Sequence, residues 1–251
     1  MKKKLLFLMT LLAVSLLALA EMTVYVYKKD GTNDSYVASI VDSIGFVDVN
    51  CIADGHECVD LGLPSGTKWA TMNVGANSPE DYGDHFAWGE TQPKDEYNWS
   101  TYKWCNGSSK TLTKYCTSSS HGTVDNKTVL DLADDTANAN WGGDWRMPTK
   151  SEQDELLTEC TWTWTTLNGV NGYKVTSKIN GNSIFLPAAG YRDSSGFYEA
   201  GSFGYYWSSS LGSDFSYTGS AYHLDFYSNT VYCQATYSRI RGYSVRPVLA
   251  K

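Results

Sequence analysis

Polar and aromatic side chains alternate with apolar ones along residues 220–248. Leu224, Phe226 and Val231 recur with the two-residue period of a half-buried strand. The intervening and following positions carry side chains able to contact a ligand, namely His223, Asp225, Tyr227, Thr230, Tyr232, Tyr237, Ser238 and Ile240. Because such residues are typical of binding surfaces, we predict that these eight bind a ligand. If the strands pair across a turn at Ser228 and Asn229, the set from 223 to 232 shares one exposed face.

Other groups of reactive side chains lack the spacing that known chemistry requires. His56 lies beside Glu57 and Cys58, and His85 lies near Asp81, Asp84 and Glu90, but neither group has a metal-ligand spacing. Surface turns rich in acidic residues are the favoured interpretation of both. The chain has no nucleophile elbow, glycine-rich phosphate loop or H-E-x-x-H motif. We therefore predict no catalytic residue, no metal site and no cofactor.

Net charge and the N-terminus restrict the partners and the compartment. The formal charge of −7, with no basic run after residue 4, argues against a nucleic-acid partner. Residues 1–20 combine three lysines, an apolar run and an Ala-Leu-Ala end, the arrangement of a cleavable signal peptide. No cysteine follows that would carry a lipid. The sequence thus predicts a secreted or cell-surface protein, cleaved before Glu21 and not inserted in the membrane.

All six cysteines lie in the exported part, where disulfides persist. Cys51 with Cys58, and Cys105 with Cys116, close short loops and are the preferred pairs, although the sequence leaves the connectivity open. Metal binding is the competing use, but no C-x-x-C occurs.

Periodicity divides the chain into a short N-terminal module and a longer β-rich body. Residues 22–46 predict a hairpin, with Val24 and Val26 in one strand and a turn at Asp30 and Gly31. In the body, residues 128–141 predict one helix capped by Thr128. Thr149 and Glu152 have the spacing of a capping box that begins a second helix. Short strands with polar turns predominate from residue 172 to the end.

Trp141 and Trp145 flank a Gly-Gly turn, just before Arg146 and the second helix. The pattern predicts aromatic anchors that fix the helix against a sheet. We expect Arg146 to bind backbone carbonyls or a carboxylate.

Several motifs of the body occur in an order that resembles a known family. They are "VDLGLPSGTKWATMNVGA", "FAWGET", "WGGDWRMPTKSEQDEL", "NSIFLPAAGYR", "GYYWSSS" and "SVRPV". Over about residues 57–249 the chain is similar to the Fibrobacter succinogenes major paralogous domain, common in exported proteins of Bacteroidota-type bacteria. The resemblance implies an α+β, C-type-lectin-like domain with short irregular β-strands and two helices. The expected domains are a signal peptide at 1–20, a β-hairpin module at 21–50 and this lectin-like domain at 51–251.

Two activities of related folds are not supported by the motifs. The formylglycine-generating enzyme has an "RLPTEAEWE" motif, which Arg146 to Thr149 resemble, but it needs two closely spaced cysteines near its C-terminus, where this chain has only Cys233. Lectins that bind sugar through calcium have Glu-Pro-Asn or Gln-Pro-Asp and Trp-Asn-Asp motifs. This chain has Gln92-Pro93-Lys94 and no Trp-Asn-Asp.

The resemblance also implies a possible origin for the assorted C-terminal residues. Members of this fold family are targets of diversity-generating retroelements, which rewrite adenines in a C-terminal coding segment. An AAC codon changed at its adenines reaches every residue type in the predicted set but not Lys, Glu, Met, Gln or Trp. From 211 to 245 the chain has none of these except Gln234. An ordinary Tyr- and Ser-rich secreted surface remains the alternative.

These observations predict an exported, non-catalytic recognition protein that presents residues 213–240 to a protein or glycan partner. A carbohydrate-binding module, whose exposed Trp and Tyr stack on sugar rings, is the first alternative. A divergent enzyme of the formylglycine-generating type is the second.

Overall fold

The computed structural model describes residues 23–27, 33–37, 51–213 and 219–249 of the chain. It divides into two compact units, residues 1–46 and 47–251. In the first unit, β1 (Thr23–Tyr27) and β2 (Asn33–Val37) pair antiparallel, so the predicted hairpin is confirmed. Its turn at Asp30 and Gly31 and the predicted signal peptide lie outside the described residues.

The second unit is mostly β-structure with two short α-helices, as expected for an α+β protein. Before the first helix the strands are β3 (Cys51–Ala53), β4 (His56–Asp60) and β5 (Lys68–Ala70). A 3-10 helix (Leu132–Asp134), α1 (Thr136–Trp141), β6 (Trp145–Arg146) and α2 (Lys150–Glu159) follow. The later strands are β7 (Cys160–Leu167), β8 (Val170–Ser177), β9 (Ser183–Pro187), β10 (Tyr191–Asp193), β11 (Gly196–Tyr198), β12 (Phe203–Leu211), β13 (Ser220–Tyr227), β14 (Thr230–Ser238) and β15 (Val248–Leu249).

Strand pairing joins the two ends of the second unit. One sheet has the order β3-β4-β5-β15-β6, so the C-terminal strand lies between strands from earlier parts of the chain. Val248 pairs with Trp69 on one side and with Arg146 on the other. The remaining sheets are the meanders β7-β8-β9 and β12-β13-β14 and the hairpin β10-β11.

Two large hydrophobic clusters pack on opposite sides of the β12-β13-β14 sheet. The first includes Tyr173, Leu224 and Phe226. The second includes Trp88, Trp207, Ala221, Tyr243 and Val245. Leu224 and Phe226 therefore point to one side, and Ala221 points to the other, as the period of two requires.

The "SVRPV" motif places a charged side chain in the core. Arg246 is 1% exposed, yet all three of its side-chain nitrogens donate hydrogen bonds. The acceptors are Asn73 Oδ1 at 2.9 Å and the backbone oxygens of Ala70, Thr71 and Phe185 at 2.9 to 3.1 Å. Burial lowers the pKa of Arg246 to about 10.

The second predicted helix is confirmed with its cap, whereas the start of the first was wrong. Thr149 Oγ1 accepts from Glu152 N, and the Glu152 side chain accepts from Thr149 N, which forms the capping box of α2. For α1 the N-cap is Asp135, not Thr128. The Asp135 carboxylate also accepts from Met147 N at 2.8 Å, a contact distant in sequence, which fixes where α1 begins.

The aromatic anchors and Arg146 lie as expected. Trp141 and Trp145 pack edge to face at 5.0 Å across the glycine turn. Arg146 makes a bidentate ion pair with Glu152 and donates to Met147 O at 3.1 Å. Burial opposes ionisation of Glu152, but hydrogen bonds from Arg146, Thr149 and Thr67 outweigh it and lower its pKa to about 2.

One predicted disulfide is confirmed and the other is wrong. Cys51 and Cys58 face each other in the β3-β4 hairpin and are bonded. Cys105 and Cys116 are free thiols, because each Sγ is directed to a backbone oxygen of its own loop. Cys105 Sγ donates to Trp99 O and Cys116 Sγ to Ser118 O, both at 3.1 Å. No helix among the described ranges is long and apolar enough to cross a membrane.

Thr149→Ala should lower the free energy of unfolding by about 1 kcal/mol, since the cap of α2 would lose its acceptor. Urea unfolding followed by circular dichroism measures the difference. Thr158→Ala is the matched control, because this exposed threonine lies near the end of the same helix and its hydroxyl donates only to the backbone oxygens of Asp154 and Glu155; its own carbonyl, which accepts from Lys178, is unchanged by the substitution. Equal destabilisation by both variants would contradict a specific effect of the cap.

Candidate functional site

The two sides of the β12-β13-β14 sheet differ in chemistry. On the inner side, Tyr206, Leu224, Phe226 and Val231 belong to or pack against the first hydrophobic cluster. Gly204 also lies there, where an added Cβ would meet the Phe226 ring. The outer side carries rows of side chains from the three strands. Near Trp207 and Ala221 this outer side is covered by the second cluster, so only the outer residues beyond that cluster can change without repacking the core.

Strand register sets these outer rows. Tyr205 pairs with Asp225, which pairs with Tyr232. In the next row Phe203 pairs with Tyr227, which pairs with Thr230 across the two-residue turn. The predicted pairing around Ser228 and Asn229 is thus confirmed. Side chains paired in this way lie side by side on one face.

The hairpin β10-β11 and Arg241 extend this surface. We call the whole set the tyrosine face, consisting of Tyr191, Tyr198, Phe203, Tyr205, Asp225, Tyr227, Thr230, Tyr232, Tyr237 and Arg241. Tyr198, Tyr232 and Tyr237 are about half exposed, at 47%, 50% and 45%. Exposed aromatic rings at this density are typical of surfaces that bind a partner.

Ring contacts hold these side chains together. The Tyr191 ring stacks on Tyr198 at 5.4 Å and packs edge to face on Tyr205 at 5.3 Å. Phe203 is stacked on Tyr205 at 6.1 Å and contacts Tyr227 at 5.1 Å. Pairs at these distances stabilise one another. The aromatic surface is therefore continuous from the β10-β11 hairpin to β13.

Charged groups lie around the rings. The Arg241 guanidinium sits 4.0 Å from the Tyr237 ring centroid and 4.6 Å from that of Tyr191, and it forms an ion pair with Asp193 at 2.9 Å. Tyr205 donates its hydroxyl proton to Glu199 Oε2 at 2.6 Å. The face thus offers ring surfaces, hydroxyl groups, a guanidinium and carboxylates, which suit both protein and sugar ligands.

Asp225 lies in the middle of the Tyr205 and Tyr232 row. Its Oδ1 is buried and has no hydrogen-bond partner. Removal of the carboxyl from water raises its pKa to about 6, against the opposing effect of a backbone hydrogen bond. A ligand that donates a hydrogen bond or a positive charge to Oδ1 would satisfy this oxygen.

The structure brings five of the eight predicted residues together on the tyrosine face. They are Asp225, Tyr227, Thr230, Tyr232 and Tyr237. Among them the two tyrosines of β14 are the most exposed.

His223, Ser238 and Ile240 are placed otherwise. His223 points to the outer side but is 2% exposed, so its expected exposure was wrong: Trp207 and Tyr243 cover it at 5.7 and 5.0 Å. Burial lowers its pKa to about 3, so its ring is neutral. Ser238 follows Tyr237 in the strand, and its Oγ is buried without a hydrogen-bond partner. Ile240 packs against a third hydrophobic cluster.

Sequence reasoning missed the half of the face that lies outside residues 220–240. The alternation of Phe203, Tyr205 and Trp207 was a signal of period two that could have been used. No local pattern could show that Tyr191 and Arg241 meet beside β12, because they are 50 residues apart in sequence.

Both histidine groups considered for metal binding serve the fold instead. His56 stacks on Trp141 with ring centroids 3.7 Å apart. His85 is buried, its Nε2 lies 3.0 Å from Ala189 O, and burial lowers its pKa to about 4. Within the ranges that the structure describes, no three His, Cys, Asp or Glu side chains cluster as metal ligands do.

Comparison with known proteins gives one match. The model of a family described as a domain of unknown function (DUF8237) matches residues 162–248. That segment begins in β7 and includes every residue of the tyrosine face. No curated protein matches the chain. Among solved structures there is no match either.

As the pH rises from about 4 to 7, the free energy of unfolding of the Asp225→Asn variant should increase relative to that of the natural chain. The folded-state pKa of Asp225 is about 6, above its ordinary 3.8, so the folded protein holds this proton over a range in which the unfolded chain has released it. Stability from this group is therefore present below pH 4 and lost as the pH rises through 6. Urea unfolding at pH 4, 5.5 and 7 measures the difference.

An NMR titration of the Asp225 carboxyl carbon gives an independent check, with a midpoint near pH 6. A midpoint near the ordinary value, together with a difference between the two proteins that does not change with pH, would contradict the assignment.

Proposed function

We propose that this chain is an exported, non-catalytic recognition protein that binds a macromolecular partner through the tyrosine face. The observation that carries the proposal is the contrast between the two sides of β12-β13-β14. The inner side is continuous with the first hydrophobic cluster. The outer side is covered by the second cluster near Trp207 and Ala221, and beyond that cluster it presents the half-exposed Tyr198, Tyr232 and Tyr237, of which Tyr198 stacks on Tyr191 and Tyr237 lies against Arg241. Such rings provide large contact areas at low entropic cost, because little side-chain freedom remains to be lost on binding.

We assign the body to the C-type-lectin-like fold of the major paralogous domain. The order of the motifs supports this assignment, and the mostly β architecture with two helices is compatible with it. Export rests on the signal-like residues 1–20. The Cys51–Cys58 disulfide is in keeping with an oxidising compartment.

The arrangement of the face supports diversification of its outward residues. Asp225, Tyr227, Thr230, Tyr232 and Tyr237 are all reachable from AAC by adenine changes, and the register places them on the side of the sheet opposite to Leu224, Phe226 and Val231. Packing constrains His223 and Ile240, so these two are expected to stay fixed. A diversified surface on a constant sheet would change its partner without changing its fold.

Carbohydrate binding is the second candidate. The exposed rings of Tyr198 and Tyr232 favour it, because sugar rings stack on flat aromatic surfaces in water. A glycan ligand should require these two rings but tolerate changes in the other outward residues. A protein partner should depend on most of the face.

Tyr227→Ala with Tyr232→Ala should weaken ligand binding by about tenfold or more and leave cooperative unfolding intact, since both rings lie outside the core. The probes are arrayed glycans and arrayed extracellular domains, followed by titration of any ligand found. Leu132→Ala is the matched control, because it removes an exposed apolar side chain at 59% exposure elsewhere on this unit.

Equal affinity of the double variant and the control for such a ligand would place the binding site elsewhere. Loss of cooperative unfolding in the double variant would show that the two rings belong to the core.

The coding locus provides a separate test of diversification. We expect a reverse-transcriptase gene nearby and a near-copy of the segment for residues 211–248 that differs only opposite adenines. The differences should fall at codons 225, 227, 230, 232 and 237 and avoid 224, 226 and 231. Sequencing the locus decides this. A locus with neither element would indicate a binder of fixed specificity.

A further inference from the structure

The strand β7 forms an open edge of the β7-β8-β9 sheet. It pairs with β8 on one side, and no other described segment pairs with it on the other. The threonine side chains along it, at residues 161, 163, 165 and 166, are exposed, so solvent reaches this strand. An open edge is a row of backbone groups that can pair with a further strand.

The register of the β7-β8 hairpin shows which backbone groups are free. Its two-residue turn has positive φ at both positions, so the flanking Leu167 and Val170 form the closing hydrogen-bonded pair. Hydrogen-bonded and non-hydrogen-bonded pairs then alternate along the ladder. The N–H and C=O groups of Trp162, Trp164 and Thr166 therefore point away from β8, toward the open edge.

β7 lacks the features by which natural edge strands avoid pairing. Such strands are short, covered, bulged, or carry a charge or a proline. The eight residues Cys160–Leu167 include no charged residue and no proline, and their pairing with β8 has no bulge. The opposite edge of the same sheet, β9, is mostly buried and ends in Pro187. The contrast within one sheet indicates that the β7 edge is available for strand pairing.

The sequence of β7 is symmetric about Thr163. In both directions this residue is followed by a tryptophan and then a threonine, which are Trp162 and Thr161 on one side and Trp164 and Thr165 on the other. A two-fold axis through Thr163 runs two copies antiparallel and places Trp162 opposite Trp164 of the second copy. The free backbone groups of these residues then form hydrogen-bonded pairs. A strand complementary to itself in sequence and in hydrogen bonding favours a second copy as its partner.

Charges at the two ends of β7 fit this antiparallel arrangement. At the turn end, Glu80 Oε1 accepts from Asn168 Nδ2 at 2.7 Å. At the other end, which also carries Glu159, Lys178 Nζ donates to Thr158 O at 2.8 Å. The two-fold axis brings the turn end of one copy to the other end of the second. Glu80 of one copy therefore approaches Lys178 of the other, and the strands themselves bring no charge opposite another.

We propose that two copies of this chain associate through β7, which pairs antiparallel with itself about Thr163 and joins two three-stranded sheets into one continuous sheet. The strand pairs use fewer residues than the roughly 20 a side of a standard interface, so the dimer is reversible and depends on concentration.

The position of β7 leaves the tyrosine face out of this contact. Trp162 and Trp164 lie on the side of β7 that packs toward Phe226, with ring centroids at 6.2 and 6.4 Å. Phe226 belongs to the inner side of β12-β13-β14, whereas the tyrosine face is on the outer side. The association therefore does not depend on the recognition function proposed above.

Sedimentation velocity of the purified protein at increasing concentration tests the association. The natural chain should change from monomer to dimer. Thr163→Glu should raise the dimer dissociation constant by about tenfold or more, because two carboxylates would meet at the axis. Its own fold should persist, since residue 163 is exposed and pairs with Lys174 of the same chain. Leu132→Glu, which adds a charge at an exposed position outside β7, should dimerise as the natural chain does.

Two results of this experiment would contradict the proposal. One is an unchanged dissociation constant for Thr163→Glu, which would place the contact elsewhere. The other is a natural chain that stays monomeric at every concentration, which would leave the β7 edge to an extended segment of another protein.

Cysteine cross-linking tests the register. In Thr163→Cys the two new thiols meet in a non-hydrogen-bonded pair with Cα atoms about 4.5 Å apart, within reach of a disulfide. Mild oxidation should therefore give a covalent dimer on a non-reducing gel, with the natural chain and its own cysteines as the baseline.

Thr165→Cys is the matched control for this cross-link, because it is equally on the exposed side of β7. Alone it should give no covalent dimer, since the two 165 positions lie at opposite ends of the paired segment. Mixed with Thr161→Cys it should cross-link, because these positions are opposite each other. No dimer above the baseline from Thr163→Cys, or an equal yield from Thr165→Cys alone, would overturn pairing about Thr163.

Discussion

The buried guanidinium of Arg246 is the constraint on which the second unit depends. It donates to the chain just after β5 and to β9 while lying immediately before β15, so one side chain joins three separate segments. A buried charge is tolerated because each nitrogen has an oxygen acceptor; loss of one acceptor would leave a donor unpaired in the core. The first hydrophobic cluster forms around these segments, and the β12-β13-β14 sheet packs its inner side on that cluster.

This anchoring separates stability from recognition within a single sheet. Leu224 and Phe226 are held by the cluster, whereas Asp225 and Tyr227, their neighbours in sequence, lie on the outer side and do not belong to it, and the Tyr227 ring packs on Phe203. Most of the outer rings are positioned by one another, and Tyr191 and Tyr237 also by Arg241, so these side chains gain little order when a partner arrives. A rigid inner side and an interchangeable outer side are what a binding surface needs.

Local signals in the sequence predicted local structure well. The capping box of Thr149 and Glu152, the short turn after Tyr227 and the Cys51–Cys58 hairpin each depend on residues a few positions apart. The pairing of Cys105 with Cys116 is a local prediction that failed, because each thiol is directed to a backbone oxygen of its own loop. The other errors arose where distant contacts decide. Met147 selects Asp135 as the cap of α1, and Tyr243 covers His223, although the alternation of β13 suggested exposure. The β10-β11 part of the site was missed for the same reason.

The strict alternation of β13 limits how this part of the gene can evolve. Gain or loss of a single codon within 220–227 would exchange the positions of β13 that face the core with those that face outward. Leu224 and Phe226 would then turn toward water, and Asp225 and Tyr227 would enter the core. Substitution of one amino acid for another leaves this alternation of inward and outward positions unchanged. A change of length inside β13 would therefore need a compensating β-bulge, of the kind that the sheet already has between Trp207 and Leu211 and in the part of β14 opposite His223 and Asp225.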